Sequence, residues 1–138
     1  MAAVVIDSSA TVAWFVPDEQ GAGSQRLLDL VTEEGALVTS LWPIEVANAL
    51  LFAVRQNRVS RTHCERALQY LARLPIEIDP ETTGRAWGPT FELAVRFGLT
   101  IYDATYLELA DRRELPLASL DRELRAAGRA LGLKLLGT

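Results

Sequence analysis

A mainly parallel α/β sheet, covered by helices on both faces, is the fold class this sequence predicts, and two observations predict it. Short apolar or β-branched runs alternate with longer stretches of helical period along the whole chain. The first run, Val4 to Ile6, has no polar alternation, as expected of a strand buried on both faces.

The elements follow in order. Val4 to Ile6 reads as the first strand, and Ser9 to Val16 as a short helix stopped near Pro17. Gly21 to Glu34 carries Leu27, Leu28, Leu30 and Val31 on helical spacing, with Gly35 as its stop. Ala36 to Thr39 is a second strand. Pro43 to Asn57 is a strong helix with Ile44, Ala47, Leu50, Leu51 and Val54 on one stripe. Ser60 caps a further helix that runs to about Leu74, and Ile76 to Ile78 is a third strand. Residues 81 to 97 are helical in pattern, broken at Gly88, with Pro89 opening a fresh turn. After Gly98 a helix covers about Tyr102 to Arg113. Pro116 to Ala118 leads into a fourth strand, Arg122 to about Leu131 is helical, and Leu133 to Leu136 forms a final edge strand.

With 138 residues, no repeat and no Gly-, Ser- or Pro-rich linker, residues 1 to 138 read as one domain. The chain is 49% hydrophobic and 23% charged, an ordinary globular balance. Cys64 is the sole cysteine, so no intrachain disulfide staples the fold. No basic segment precedes the apolar start and no apolar run could cross a bilayer, so the expected location is the cytoplasm. A net charge of −4 argues against a binder that holds nucleic acid by bulk positive charge. It leaves room for an enzyme that meets phosphates through bound cations.

In an alternating parallel fold, ligands bind beyond the carboxyl ends of the strands. Asp7 follows the first strand, and Asp121 lies just past the fourth. Glu45 and Asp103 lie in the first turns of their helices, so all four acids belong at one edge. Each has a bland explanation. Asp7 and Asp121 suit N-caps, Thr100 and Asp103 match a capping box, and Glu45 stands early in its helix. Together they make a different case. Asp7 and Asp103 are flanked by apolar residues, and crowded carboxylates raise one another's pKa unless a cation compensates. No matching set of Lys or Arg stands beside them in sequence. A hard divalent ion, Mg²⁺ or Mn²⁺, suits oxygen ligands, whereas zinc prefers His and Cys. Such a site would activate a water to attack a phosphodiester, with the hydroxyls of Ser9 and Ser119 close by.

At these residues the chain resembles the PIN-domain family, and within it the VapC-type toxin ribonucleases of toxin–antitoxin pairs. The likeness is carried by Val4-Val5-Ile6-Asp7-Ser8-Ser9, Pro43-Ile44-Glu45-Val46-Ala47-Asn48-Ala49-Leu50, Tyr102-Asp103-Ala104-Thr105-Tyr106-Leu107-Glu108-Leu109-Ala110 and Leu117-Ala118-Ser119-Leu120-Asp121. The resemblance implies a three-layer α/β/α PIN-like domain with Mg²⁺- or Mn²⁺-dependent endoribonuclease activity. It also implies a homodimer, an RNA substrate and inhibition by a cognate antitoxin. By motif, Asp7, Glu45, Asp103 and Asp121 are the catalytic and metal-binding acids, with Ser9 beside the first. Asn48, one turn beyond Glu45, and Ser119, where the family often has Thr, are expected to support them. Glu123 points half a turn from Asp121 and is not counted as a ligand.

Other features read as structural. Adjacent His63 and Cys64 diverge on a helix and make no nucleophile–base pair. Among the aromatics, which default to core packing, Trp14 and Trp42 lie nearest the acid edge and are candidates for stacking on bases. Arg112 and Arg113 read as a solvated face, while Arg122 and Arg125 stand near Asp121 where phosphate would lie. The helices 43–57 and 60–74 carry more apolar surface than a short chain buries, which suggests a homodimer face or an antitoxin groove. A catalytically silent interaction module, its acids merely capping helices, is the competing reading. Phosphoryl-aspartate chemistry at Asp7 is disfavoured because Asp7-Ser8-Ser9 lacks a second Asp.

Overall fold

The computed structural model describes residues 2–138. Its first half runs β1 (Val5–Ile6), α1 (Ser8–Val12), α2 (Ala22–Glu34), β2 (Ala36–Val38), α3 (Trp42–Arg55), α4 (Arg61–Leu71) and β3 (Ile76–Ile78). Then come α5 (Pro89–Phe97), α6 (Ile101–Arg113), β4 (Leu117–Ala118), α7 (Arg122–Ala130) and β5 (Leu135–Leu136). Two 3-10 turns, Pro17–Glu19 and Thr83–Arg85, punctuate the series.

The five strands form one all-parallel sheet in the order β3-β2-β1-β4-β5. Val5 pairs with Leu37 on one side and Leu117 on the other. A parallel neighbour requires a crossover, and the helices supply it. The result is the three-layer α/β/α architecture expected. The chain lays β1, β2 and β3 outward in one direction, then returns to place β4 against the other side of β1. That reversal opens a crevice at the carboxyl ends of β1 and β4.

Local chemistry sets the boundaries. Ser60 caps α4 by accepting from His63 N–H at 3.0 Å, as its sequence position predicts. Gly35 ends α2 at φ +83°, a backbone state that favours glycine. Gly88-Pro89 divides the 81–97 segment into the 3-10 turn and α5. The first helix is shorter than predicted. It closes at Ala13, and the chain tightens through Trp14 N–H to Thr11 O and Phe15 N–H to Val12 O. Trp14 donates its indole N–H to Ser24 O at 3.1 Å, and Pro17 opens the 3-10 turn.

The core gathers Val4, Val5, Ile6, Val38, Leu50 and Leu117, all closed to solvent. Helix α6 is buried without interruption from Ala104 to Ala110, since it packs against β1 and β4 on one side and α5 on another. Any polar group on that stretch must find its partner within the protein.

Candidate functional site

Asp7 is the centre of the acid edge. It caps α1 through Ala10 N–H at 2.9 Å, and it is 4% exposed. Two serines complete its surroundings. Ser9 Oγ lies 2.8 Å from Asp7 Oδ1, and Ser119 Oγ donates to Asp7 Oδ2 at 2.5 Å. The direction of these bonds is fixed from behind. Leu120 N–H donates to Ser9 Oγ at 2.9 Å and Asp121 N–H to Ser119 Oγ at 3.0 Å. Each hydroxyl therefore has an accepting side occupied and presents its proton to Asp7. Burial pushes the Asp7 carboxyl up to about 6, and the charge of Asp103 adds to this. The bonds from Ser119, Ala10 and Ser9 pull the other way and lose.

The other acids come into electrostatic range. Asp103 is half-buried on the first turn of α6, where its N–H donates to Thr100 Oγ1 at 3.1 Å. Among the described residues no return bond joins its carboxylate to Thr100 N–H, so only half a capping box forms. Burial raises its pKa, and the charges of Asp121, Glu45 and Glu123 raise it further. Asp121 caps α7 through Leu124 N–H at 2.8 Å. Glu45, on the first turn of α3, accepts from Tyr106 Oη at 2.5 Å. Glu123 is the acid that helical spacing set aside, yet its charge reaches Asp103. Asn48 is exposed on α3, and among the described residues it makes no hydrogen bond to the acids.

Capping and site chemistry are thus compatible at Asp7 and Asp121, because each carboxylate caps one helix and still lies at the shared edge. Among the described residues, no three His, Cys, Asp or Glu side chains stand close enough to ligate an ion unaided. The arrangement fits a cation that keeps water and takes one or two carboxylates, the habit of Mg²⁺, better than an all-protein cage.

A second cluster of acids was not singled out from the sequence. Asp79 follows β3 as Asp7 follows β1, and it is 2% exposed. Arg112 Nη2 donates to Asp79 Oδ2 at 2.7 Å, and Arg112 Nε to Glu108 Oε2 at 3.0 Å. Arg85 Nε reaches the same Glu108 oxygen at 2.7 Å. Burial pushes Asp79 upward, but the bonds and charge of Arg112 outweigh it and hold the carboxyl below its ordinary range. Arg112 is therefore no solvated residue, a correction to the reading of the Arg112–Arg113 face. The repeated signal, an acid closing a β-branched strand, was present at Ile78-Asp79.

The structure also removes the stacking candidates at the edge. Trp14 and Trp42 are buried, and Trp42 donates its N–H to Thr11 Oγ1 at 3.0 Å. Other rings are open: Trp87 is 97% exposed, Phe91 is open on α5, and Tyr102 is open beside Asp103 on the first turn of α6. Arg125 donates to Ser119 O and Leu136 O, tying the β4–α7 connection to the last strand. Its guanidinium is committed to the fold. His63 Nε2 lies 2.6 Å from Phe15 O, while burial raises the Cys64 thiol, so these neighbours make no dyad.

Comparison with known proteins bears on this geometry. The family model of the PIN domain matches residues 4–130. The chain belongs to the PIN-domain family. It is 30% identical over 121 residues to ribonuclease VapC3 of Pyrobaculum aerophilum, covering 88% of this chain and 91% of that one. Ribonuclease VapC9 of Mycobacterium tuberculosis is 29% identical over 129 residues, 92% of each chain. Among solved structures, PAE2754 from Pyrobaculum aerophilum superposes with a TM-score of 0.70 at 27% identity, covering 97% of this chain and 83% of that chain. VapC20 of Mycobacterium tuberculosis, described as a Sarcin-Ricin loop cleaving toxin, has a TM-score of 0.62 at 15% identity, covering 91% and 95%. That likeness speaks for the fold. This PIN domain thus has VapC ribonucleases as its relatives, and it has no helix long and apolar enough to cross a membrane among the described residues.

Proposed function

We propose that this PIN domain is a Mg²⁺- or Mn²⁺-dependent endoribonuclease, the toxin of a toxin–antitoxin pair. One observation carries the reading: Asp7 is a buried carboxylate with no basic side chain among the described residues hydrogen-bonded to it, and it shares its edge with three further acids. The contrast within the molecule is direct. Asp79 and Glu108 are equally buried, and arginines neutralise both. The uncompensated set leaves a charge deficit that a divalent ion would fill. Relatives named ribonucleases support RNA as the substrate class.

Asp7, Asp103, Glu45 and Asp121 would hold the cation. A cation held there would supply positive charge against the phosphate and make an attacking water easier to deprotonate. The chain's own groups do the rest. Ser9 and Ser119 hold Asp7 in one orientation, and the backbone N–H groups of Leu120 and Asp121 hold the serines. The first turns of α3 and α6 bring Glu45 and Asp103 to the same edge, where helix N-termini favour an anionic backbone. Asn48 is proposed to support this edge from α3.

The partners follow as part of the same reading. Ile44, Leu51 and Phe52 are exposed apolar side chains on α3, as is Leu68 on α4. Phe91, Val95 and Tyr102 are others, on α5 and α6. A second copy and a cognate antitoxin are proposed to cover them, and solved complexes of this fold include a toxin–antitoxin complex from Klebsiella pneumoniae (TM-score 0.51, 16% identity, covering 87% of each chain).

Incubating purified protein with structured RNAs and Mg²⁺ or Mn²⁺ tests the activity, with EDTA and Asp7→Asn as controls. Cleavage that survives both controls sinks the metal reading. Calorimetry without divalent binding returns the chain to the silent interaction module.

A further inference from the structure

Glu45 has a weak hold on its own position. It stands on the first turn of α3, whose N-cap is Leu41 and carries no side-chain cap. Its carboxylate hangs on three rotatable bonds, partly open to solvent. Free, such a side chain samples many rotamers, and a binding site must pay for ordering it. Among the described residues, Tyr106 is the group that hydrogen-bonds this carboxylate, Oη to Oε1 at 2.5 Å.

Tyr106 is built to hold still. It is 1% exposed, inside the fully buried stretch of α6. It lies three residues after Asp103, on the same helix face. The phenol therefore spans from the helix that carries Asp103 to the carboxylate that α3 carries. Tyr106 Oη donates to Glu45. The Thr39 side chain also lies within reach of the phenol, yet the donated bond goes to a site acid.

We propose that Tyr106 is a positioning residue that fixes the Glu45 carboxylate for divalent-cation binding, an inference resting on the metal reading above. It touches neither cation nor substrate and acts through Glu45. Partners that orient ligands in this way typically change metal affinity about 10–100-fold when removed.

The experiment is a double-mutant cycle read by Mn²⁺ calorimetry on the full chain: wild type, Tyr106→Phe, Glu45→Gln and the double variant. Tyr106→Phe is expected to weaken Mn²⁺ about 10-fold, and to weaken it less than about 2-fold once Glu45 is already Gln. Equal losses in both backgrounds, or an unchanged affinity in the single variant, overturn the proposal. A wild type that takes up no Mn²⁺ overturns the metal reading itself, and with it this one. A second measurement leaves Tyr106 intact and uses no metal. The Tyr106 hydroxyl proton, sheltered and held on a carboxylate, should give a downfield NMR signal that Glu45→Gln moves upfield. An unmoved or absent signal in the wild type counts against the bond.

Discussion

Replacing Asp7 by Asn should stabilise the metal-free protein at neutral pH. Asp7 ionises with difficulty because it is buried and, to a smaller degree, because it lies near Asp103, which raises its carboxyl from 3.8 to about 6. At about 1.4 kcal/mol per pKa unit, keeping it ionised costs about 3 kcal/mol. The sign follows from linkage. Between 3.8 and about 6 the folded chain holds a proton that the unfolded chain has released, so stability falls as pH rises through that window. Above it the penalty is constant. Asn removes the charge but presents an N–H to a serine hydroxyl that was donating, a mismatch costing about 1 kcal/mol. The net gain at pH 7.5 in EDTA is therefore about 1–2 kcal/mol, or about 3–8 °C in Tm for a domain of this size. Thermal and urea unfolding of both proteins from pH 4 to 8 measure it. Near pH 4 the gain should vanish. With Mn²⁺ at 100 times its Kd the wild type should recover about 2.7 kcal/mol that the variant cannot. A variant less stable than wild type at pH 7.5, or a difference that does not change with pH, would refute the picture of Asp7 as a strained, uncompensated carboxylate.

The same site predicts that Mn²⁺ binding weakens as pH falls below about 6, because the cation must displace the proton on Asp7; calorimetry at pH 5 and 7 checks this, and equal affinities would contradict it. Arg112→Met should destabilise the fold by about 3–5 kcal/mol, since it leaves the buried Asp79 without its cation while Glu108 keeps Arg85. A loss under about 1 kcal/mol in urea unfolding would show that the network is better solvated than its geometry implies. Light scattering should give twice the 15.2 kDa chain mass, and either Ile44→Asp with Phe52→Asp or Phe91→Asp with Val95→Asp should return the monomer. A monomeric wild type removes the homodimer.

The contrast between Asp7 and Asp79 explains where sequence reading succeeds and where it stops. Strand and helix periods are local, so β3 at Ile76–Ile78, the Ser60 cap and the break at Gly88 were readable from a few neighbouring residues. The first helix was overextended because its end depends on Trp14 turning inward to Ser24, ten residues away. Exposure was harder still. Trp42 sits near the acid edge in sequence and is buried, while Trp87 has no apparent reason to be open and is almost entirely so.

The sequence by itself determined that apolar strands alternate with helices and that acids close those strands, because both are properties of residue order. Whether an acid is left bare or neutralised was decided by tertiary structure. Ile6-Asp7 and Ile78-Asp79 look alike on the page. Only folding brings Arg112, 33 residues on, to Asp79 and leaves Asp7 with two serines, a backbone N–H and the charge of Asp103. Tyr106 belongs to the same class, since its bond to Glu45 spans 61 residues. Charge compensation depends on distance in space, and residue order carries that distance only through the fold.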